Sequence, residues 1–305
     1  MGMSCKLRLV LLLWLWHAAL AGAQVFRVAT YNVENYVEDP GAARPIKPPE
    51  ARAKVCASIV ALNPDVIALQ EMGSTNALLE LQAAVKKSGL DLPFWDHITG
   101  YDTNIHLALL SRFPIVARHP HTNESFLLNG RRFYVSRGLM EDEIQVNAHF
   151  KFALIAAHLK SRLASAIADE QEWREEEAAV LRRIVDARLA ADPGQPLVVL
   201  GDLNDTKDSR TLKIILGRAN TSLFDTRPAE RNSNGPPPPD DLARLRQSTW
   251  TEYYSKEDVY SRVDYILISS GFQRDWLSAG TYILNSPDWG GASDHRPLVA
   301  AFRSE

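Results

Sequence analysis

The feature that most constrains this chain is an apolar run, Leu197-Val-Val-Leu200, which stops at Gly201 and is followed by Asp202 and Asn204. A short apolar run between Pro196 and a glycine predicts a buried strand. Because side chains alternate along an extended chain, Asp202 and Asn204 are expected on the same side, just past the strand end. Ligands of α/β proteins bind at such ends, so the pair suits an active site. An Asx turn leading into the next helix fits equally well.

The N-terminal segment, residues 1–23, has the three parts of a secretory signal peptide. Basic Lys6 and Arg8 precede an apolar stretch, and small residues end the segment at Ala23. We therefore predict cleavage before Gln24, with export to the periplasm or the medium. The apolar stretch is too short to cross a bilayer comfortably, so we expect no integral membrane span in the mature form. The remaining residues, 24–305, are predicted to form one domain.

Removal of that segment leaves Cys56 as the one cysteine of the mature chain, which excludes an internal disulfide. Cys56 lies in a helical apolar pattern, so a buried, inert thiol is expected. The chain is 46% hydrophobic and long enough for one large core. Its formal net charge of −3 is not that of a protein that binds nucleic acid through overall charge, although phosphates can still be held locally. We expect a monomer.

Strand and helix patterns alternate along the mature chain without an internal repeat, which favours a single α/β domain. The predicted strands are residues 25–31, 65–70, 95–99, 107–111, 132–136, 152–158, 197–200, 262–269, 281–284 and 298–302. The predicted helices are residues 50–62, 76–87 and 164–189, with a further helix starting near Ser209. Residues 231–247 contain four consecutive prolines and predict an irregular surface loop.

A carboxylate, amide or imidazole lies at the end of nearly every predicted core strand. These residues are Asn32, Glu34, Glu71, His158, Asp202, Asn204, Asp264, Asp294 and His295. Each has an ordinary explanation, such as a turn, a helix cap or a structural histidine. If the strands pack side by side, however, all of them converge on one cleft.

The residue types in this set restrict the chemistry. Neither a cysteine cluster nor a His-x-x-x-His pair is present, which argues against tetrahedral zinc. Carboxylates with amides favour a hard cation, Mg²⁺ or Mn²⁺. The absence of Walker and G-x-G-x-x-G patterns argues against a nucleotide cofactor. Metal-assisted hydrolysis of a phosphoester uses all of these groups.

Seven short motifs, in order, resemble the endonuclease/exonuclease/phosphatase superfamily. They are Tyr31-Asn-Val-Glu34, Gln70-Glu71, Leu109-Leu-Ser-Arg112, His158-Leu-Lys-Ser161, Gly201-Asp-Leu-Asn204, Val263-Asp-Tyr-Ile266 and Ser293-Asp-His-Arg-Pro297. Members of the superfamily include pancreatic-type deoxyribonuclease, abasic-site endonucleases, bacterial sphingomyelinases and inositol polyphosphate 5-phosphatases. The resemblance spans nearly the whole mature chain. It implies a deoxyribonuclease I-like fold, a four-layer α/β/β/α sandwich of two packed mixed sheets with the active site at one edge.

The resemblance also implies a metal site. By this likeness Glu71 is the principal ligand of Mg²⁺ or Mn²⁺, and Asp294 lies close to the metal. Glu34 stands where several members carry aspartate, so it is expected to support the metal through a longer side chain. Asn32 resembles the amide that binds the scissile phosphate.

The same likeness implies the catalytic groups. Asp202 resembles the carboxylate that orients or activates the attacking water, with Asn204 beside it. His295 resembles the imidazole that is paired with Asp264, and His158 resembles the second histidine, which donates to a phosphate oxygen. An Asp-His pair raises imidazole basicity, so either Asp202 or His295 fits the general base.

Other positions have two interpretations each. Asp102 is either the carboxylate that orients His158 or a turn residue, and Arg137 either supports the phosphate or lies at the surface. The candidates for a basic rim that binds a polyanion are Arg131, Arg132, Lys160 and Arg162. Trp289, close to the Asp294-His295 loop, could touch a base, a lipid headgroup or a neighbouring loop.

The motifs are most similar to those of secreted bacterial nuclease-like members. They predict an exported, metal-dependent phosphodiesterase that is a nuclease, acting on nucleic acid or another phosphodiester. A sphingomyelinase-like or inositol-phosphate phosphoesterase is the alternative, and Phe126-Leu-Leu128 is the one candidate for an exposed apolar hairpin that meets membranes. A non-catalytic binding protein has no use for the full acid-base set and fits least well.

Overall fold

The computed structural model describes residues 24–38, 44–231 and 248–304. The predicted signal peptide and the proline-rich stretch lie outside the described residues. The helices are α1 (Pro49–Leu62), α2 (Thr75–Lys87), α3 (Glu170–Ala191), α4 (Arg210–Leu216) and α5 (Ser270–Gln273). None of the helices in the described ranges combines the length and the apolar character that a membrane crossing requires.

The strands form two mixed sheets and two small hairpins. In chain order they are β1 (Gln24–Tyr36), β2 (Val66–Met72), β3 (Phe94–Ile98), β4 (His106–Ser111), β5 (Ile115–Arg118), β6 (Ser125–Leu128), β7 (Arg131–Tyr134), β8 (Leu139–Gln145), β9 (Lys151–His158), β10 (Leu197–Asp202), β11 (Leu223–Asp225), β12 (Glu230–Arg231), β13 (Glu252–Tyr254), β14 (Val259–Ser261), β15 (Asp264–Ser269), β16 (Trp276–Leu284) and β17 (Leu298–Ser304). One sheet has the order β12-β16-β17-β1-β2-β4-β3, and the other has the order β11-β15-β10-β9-β8-β5. The hairpins are β6-β7 and β13-β14.

The two sheets pack face to face, and each outer face is covered by helices. Side chains alternate along β1, so Phe26 and Val28 join the core between the sheets, whereas Ala29 and Tyr31 pack towards α1 and α2. α3 and α4 cover the outer face of the six-stranded sheet through a third cluster that includes Leu181. The predicted four-layer α/β/β/α sandwich is therefore confirmed.

An aromatic cluster fixes both ends of the described chain in the central core. The ring of Phe26 lies 5.5 Å from that of Phe152 and 5.7 Å from that of Phe302, on β17. β17 pairs antiparallel with the first half of β1 over its full length, from Gln24 opposite Ser304 to Thr30 opposite Leu298. The first and last described strands thus lie in the middle of one sheet, where they position the residues at the end of β1 and just before β17.

Several predicted boundaries differ from the structure. α3 begins at Glu170 rather than at residue 164, because Asp169 caps it by accepting a hydrogen bond from the Glu172 N–H at 2.8 Å. The predicted membrane hairpin is also wrong in part. Phe126 and Leu128 are buried, and only Leu127 of that stretch is exposed.

Candidate active site

Three of the predicted site residues lie side by side at one edge of the six-stranded sheet. The register places Asp202 opposite His158 on parallel β9 and opposite Asp264 on antiparallel β15. Residues in register on neighbouring strands point to the same face of a sheet. Leu200, two residues before Asp202, packs in the core between the sheets, so this row faces the other sheet.

Asn32 reaches the same place from the seven-stranded sheet. It shares the face of Phe26 and Val28 by alternation, so its side chain points towards the six-stranded sheet. Its Nδ2 donates to Asp202 Oδ2 at 3.0 Å, which links the two sheets at the site. A buried amide between two sheets is expected to be fully hydrogen-bonded, and the Asn32 Oδ1 also accepts from the Glu34 N–H at 2.9 Å.

Glu71 enters the site through an irregularity in β2. Simple alternation would place it on the helix side with Leu69, but the pairing register shifts between Leu69 and Met72 and Glu71 has a φ of +63°. This left-handed conformation is costly for a residue other than glycine and is often found at functional sites. As a result Glu71 Oε1 lies 3.4 Å from the Asn32 amide nitrogen, and Oε2 accepts from the Asn35 N–H at 2.9 Å.

The stretch from Gly201 to Asn204 is both an Asx turn and a part of the site. Asp202 Oδ1 accepts from the Asn204 N–H at 2.9 Å, and Oδ2 accepts from Asn204 Nδ2 at 3.2 Å. Gly201 is required because its φ is +132° and a Cβ there would overlap the carbonyl oxygen of Ala157. Burial raises the pKa of Asp202 to about 8, while the positive charge of His295 opposes the increase.

His295 and Asp264 form the predicted pair. His295 Nδ1 lies 2.8 Å from Asp264 Oδ2, and the backbone of the loop is fixed by Ser293, whose Oγ accepts from the His295 N–H at 3.0 Å. Burial alone would lower the pKa of His295, but the carboxylates of Asp264 and Asp202 outweigh it and hold this pKa well above its usual range. His295 is therefore an imidazolium, with its Nε2 3.8 Å from Asp202 Oδ2.

His158 differs from His295 in charge. Burial and the nearby Arg137 hold its pKa well below the usual range, so the imidazole is neutral. Its Nε2 lies 3.5 Å from Asp202 Oδ2 and 4.0 Å from Glu71 Oε1, and its Nδ1 has no hydrogen-bond partner among the described residues.

The structure does not pair Asp102 with His158. Asp102 accepts from the Asn104 N–H at 2.9 Å, as the turn interpretation predicts, and lies 3.6 Å from the Arg137 guanidinium. Arg137 in turn is buried rather than exposed, lines the cleft and donates to the Leu159 carbonyl oxygen at 3.4 Å. The surface interpretation of Arg137 is thus wrong.

A group of carboxylates, Glu34, Glu71 and Asp294, lies at the other side of the Asn32 amide. Burial raises the pKa values of Glu34 and Asp294, and the negative charge of Glu71 raises both further. The charge of Asp294 also raises the pKa of Glu34. Like charges held together in this way favour a cation, and carboxylate oxygens are the ligands that Mg²⁺ and Mn²⁺ prefer. The group therefore fits the predicted metal site.

Asp202, Asp264 and His295 also bring ligand atoms within 4.8 Å of one another. The His295 imidazole, however, is protonated and hydrogen-bonded to Asp264, and an imidazolium has no lone pair for a metal. We therefore interpret this second cluster as an ion-paired acid-base set.

The site opens into a cleft of about 610 Å³ between the ends of the two sheets. Its lining includes Arg44, Arg162, Glu252 and Tyr254, besides the predicted residues. Arg162 was expected at a basic rim, whereas Arg44, Glu252 and Tyr254 were missed. They come from loops and the β13-β14 hairpin, and only the folding of the chain brings them to the strand ends.

The chain resembles solved structures of this fold over nearly its whole length. Beta toxin from Staphylococcus aureus is 17% identical, with 90% of this chain and 99% of that chain covered at a TM-score of 0.61. The human Nocturnin catalytic domain is 16% identical (93% and 98% covered, TM-score 0.62), and Sphingomyelinase C from Streptomyces griseocarneus is 18% identical (92% and 99% covered, TM-score 0.60). No curated protein matches the chain by sequence.

Residues 29–295 match the Endonuclease/Exonuclease/phosphatase family, a range that includes every predicted site residue. Members of this family are hydrolases that act on phosphoester bonds. The resemblance expected from the sequence motifs is thereby confirmed, and the chain belongs to the Endonuclease/Exonuclease/phosphatase family.

Proposed function

We propose that this protein is an exported phosphodiesterase, dependent on Mg²⁺ or Mn²⁺, that cleaves nucleic acid by attack of an activated water on phosphorus. The observation that carries the proposal is the position of Asp202. Its Oδ2 accepts a hydrogen bond from Asn32 Nδ2 at 3.0 Å. The same oxygen lies 3.5 Å from His158 Nε2 and 3.8 Å from His295 Nε2. Groups from both sheets thus surround one carboxylate, which is the arrangement that water activation requires.

The protonation states of His295 and Asp202 decide which group accepts a proton and which donates one. Because His295 is an imidazolium, it cannot accept a proton, so it donates to a phosphate oxygen and stabilises the charge that develops there. Asp202, whose pKa is raised to about 8, is the remaining base. In its ionised form it takes the proton of the attacking water as the new P–O bond forms and the bond to the leaving oxygen breaks, so the rate is expected to rise with pH towards about 8. Neutral His158 and the amides of Asn32 and Asn204 donate hydrogen bonds to the phosphate and to Asp202.

Glu71 and Asp294 are proposed to hold the metal, with Glu34 beside them. A divalent cation there supplies Lewis-acid stabilisation of negative charge on the phosphate and the leaving oxygen. The Asn32 amide lies between this group and Asp202, so a phosphate bound at Asn32 would lie within reach of both.

A nuclease is supported by the cations and aromatic rings around the cleft. Arg137 and Arg162 line it, and Tyr254 contributes a ring to the same wall. Trp289 belongs to an adjacent cluster, 4.8 Å from the ring of Trp250. Arginines bind phosphates and aromatic rings stack on bases, so these groups suit a polynucleotide.

A lipid phosphodiester is the second candidate, because aliphatic side chains are exposed beside the same cleft. Leu163 and Val259 line it and are 54% and 41% exposed. Arg162 holds the two segments together by donating to Ser261 Oγ at 3.3 Å. One of the similar structures is a sphingomyelinase.

A substrate panel tests the proposal. The purified protein, with Mg²⁺ or Mn²⁺, would be offered plasmid DNA, RNA, sphingomyelin vesicles, inositol phosphates and bis(p-nitrophenyl) phosphate. We expect cleavage of nucleic acid, loss of activity with chelator, and loss in Asp202→Asn but not in the exposed control Asp208→Asn. Cleavage of sphingomyelin alone would establish the second candidate. Silence on every substrate would favour a non-catalytic binding protein.

Export is tested separately. N-terminal sequencing of the protein recovered from the periplasm or the medium is expected to give Gln24, or a near neighbour, as the first residue. Retention of residues 1–23 in the mature protein would contradict the signal-peptide interpretation.

A further inference from the structure

Helix α3 carries a fully buried glutamate, Glu177, which contacts two loops of the site. Its Oε1 accepts hydrogen bonds from the N–H and the Oγ of Ser136, each at 2.8 Å, and from Trp173 Nε1 at 3.1 Å. Its Oε2 accepts from the Lys160 N–H at 2.6 Å. Four donors around one carboxylate offset the cost of placing its charge away from water, so the group is held in one place.

Two of these hydrogen bonds hold the segment that follows β7 and carries Arg137. Ser136 directly precedes Arg137, whose guanidinium lines the cleft and donates to the Leu159 carbonyl oxygen at 3.4 Å. Glu177 binds both the backbone and the side chain of Ser136. A shift of Ser136 would therefore move the Arg137 guanidinium with it, since one peptide bond joins the two residues.

Another of these hydrogen bonds holds the loop that follows β9, two residues after His158. The Lys160 backbone is fixed on both sides, because its N–H donates to Glu177 and its carbonyl oxygen accepts from Arg174 Nη1 at 3.0 Å. Arg174 is also buried and lies one helical turn before Glu177, on the same face of α3. Two buried charged side chains of one helix thus fix a single residue of this loop.

The residue between His158 and Lys160 connects this loop to the opening turn of the site. The Leu159 N–H donates to the Asp202 carbonyl oxygen at 3.0 Å, and the Leu159 carbonyl oxygen accepts from Asn204 Nδ2 at 3.0 Å. A displacement of Lys160 would therefore disturb the ends of both β9 and β10.

We propose that Glu177 is a positioning residue, which holds the loops of Arg137 and His158 in the places where both side chains meet the same phosphate. Glu177 does not line the cleft and acts through the backbone of Ser136 and Lys160. An ionised carboxylate suits this position because it only accepts hydrogen bonds and all of its partners here are donors. The inference rests on the proposed function, in which Arg137 and His158 bind the phosphate.

Glu177→Gln tests the inference, because it keeps the shape of the side chain but replaces one acceptor oxygen by an NH₂ donor. That donor would face the donors of Ser136 or of Lys160, so one of the two loops is expected to move. We expect kcat for bis(p-nitrophenyl) phosphate to fall by about 10- to 100-fold, as for small displacements of catalytic groups. KM should change by less than about threefold, since these groups meet charge that develops in the transition state.

Two variants on the same helix serve as controls. Trp173→Phe removes another hydrogen bond of Glu177, but one that lies within α3 and holds neither loop. Arg182→Met removes a buried side chain that donates to the carbonyl oxygens of Ile215 and Thr221, neither of which lines the cleft. Both should lower the urea midpoint, and both should keep kcat within about threefold of wild type where the protein is fully folded.

Hydrogen exchange followed by mass spectrometry gives a measurement that does not depend on activity. Glu177→Gln should exchange faster than wild type in peptides that contain Arg137 or residues 158–160, whereas Trp173→Phe should not. An enzyme inactive on every substrate would refute the proposed function but leave this exchange pattern, which would then decide the inference. The two failures are thus distinguishable.

Other results would overturn the inference. An active enzyme whose kcat is unchanged in Glu177→Gln would do so, as would an equal loss of kcat in Arg182→Met, or a loss confined to KM. Unchanged hydrogen exchange in both loops would also overturn it. If Glu177→Gln does not fold, Ser136→Ala replaces it and should lower kcat by about three- to tenfold, whereas Ser136→Thr, which keeps the hydroxyl, should restore it.

Discussion

At the scale of single residues, backbone geometry and chemistry are combined at the same positions. Glu71 and Asn204 both have positive φ angles, +63° and +54°, and both carry polar groups of the site. Gly201 allows the strand to pass close to Ala157 immediately before Asp202. The sharp end of β10 is thus what directs the Asp202 carboxylate towards the other sheet.

Replacement of Gly201 by alanine is expected to destabilise the fold. The new Cβ would overlap the Ala157 carbonyl oxygen at a φ that alanine avoids, at a cost of about 2–4 kcal/mol. Gly89→Ala is the matched control, since Gly89 also has a positive φ, +97°, but open space around it, and should cost about 1 kcal/mol. Urea denaturation followed by circular dichroism measures both. Equal losses in the free energy of unfolding for Gly201→Ala and Gly89→Ala would contradict the predicted clash with Ala157 and leave backbone strain as the sole cause.

Asp264→Asn is expected to reduce kcat by about 10²- to 10⁴-fold, because His295 loses the carboxylate that orients it and keeps it protonated. Steady-state hydrolysis of bis(p-nitrophenyl) phosphate measures the effect, with the exposed Asp208→Asn as control. A kcat within a factor of three of wild type would contradict the assigned role of the pair, provided that the variant is folded.

At the scale of secondary structure elements, β8 shows how a strand forms without an apolar pattern. Its sequence contains three consecutive acids, and the alternation rule therefore missed it. Glu143 accepts from Arg188 Nη1 at 2.7 Å and Glu141 lies 2.6 Å from His121 Nε2, so partners from α3 and a neighbouring loop neutralise two of the acids. The third, Asp142, faces the other way, is fully buried and lies against Asp96 of β3.

Asp142 is expected to make the fold less stable as the pH rises. Burial, and then Asp96, raise its pKa from 3.8 to about 8. The folded state therefore binds more protons than the unfolded state between these values, and stability falls as the pH rises from about 4 to about 8. Asp142→Asn should remove this dependence and stabilise the protein by about 2–4 kcal/mol at pH 8.5. Urea denaturation from pH 5 to pH 8.5 measures it. An unchanged pH profile, equal to that of the exposed control Asp91→Asn, would contradict the prediction.

At the scale of the whole molecule, the site exists only because two sheets meet. The carboxylates of the proposed metal site lie near the ends of β1 and β2 or just before β17, all in the seven-stranded sheet. His158 and Asp202 are the last residues of β9 and β10, and Asp264 is the first residue of β15, all in the six-stranded sheet. The Asn32 amide joins the two sets. Binding of a cation should therefore stabilise the folded molecule, since the unfolded chain has no such site.

Addition of Mn²⁺ is expected to raise the melting temperature. At a concentration 100 times the dissociation constant, the gain is about 2.7 kcal/mol, which corresponds to several degrees for a domain of this size. Glu71→Gln should abolish the shift, whereas Glu50→Gln, at the surface of α1, should keep it. Differential scanning calorimetry measures the shift. A rise that persists in Glu71→Gln would place the cation elsewhere.

The sequence by itself determined the architecture and the chemical identity of most of the site. Apolar runs that end in polar residues identified β1, β2, β9, β10 and β15, because a buried strand must be apolar along its length and can be polar only where it emerges. The ordered motifs indicated the family, which the match over residues 29–295 confirms. The turn at Asp202 and the helix that begins after Ser209 follow from local side-chain hydrogen bonds, which depend on neighbouring residues alone.

Only the tertiary structure decided how those groups are paired and charged. Asp102 contacts Arg137 and not His158, Arg137 is buried, and Lys47 lies against Glu34. None of these contacts follows from local sequence, since each joins segments that meet only when the sheets and loops pack. The opposite protonation states of the two histidines have the same origin. Burial is nearly complete for both, and the difference is that a carboxylate reaches His295 Nδ1, whereas His158 Nδ1 has no such partner among the described residues.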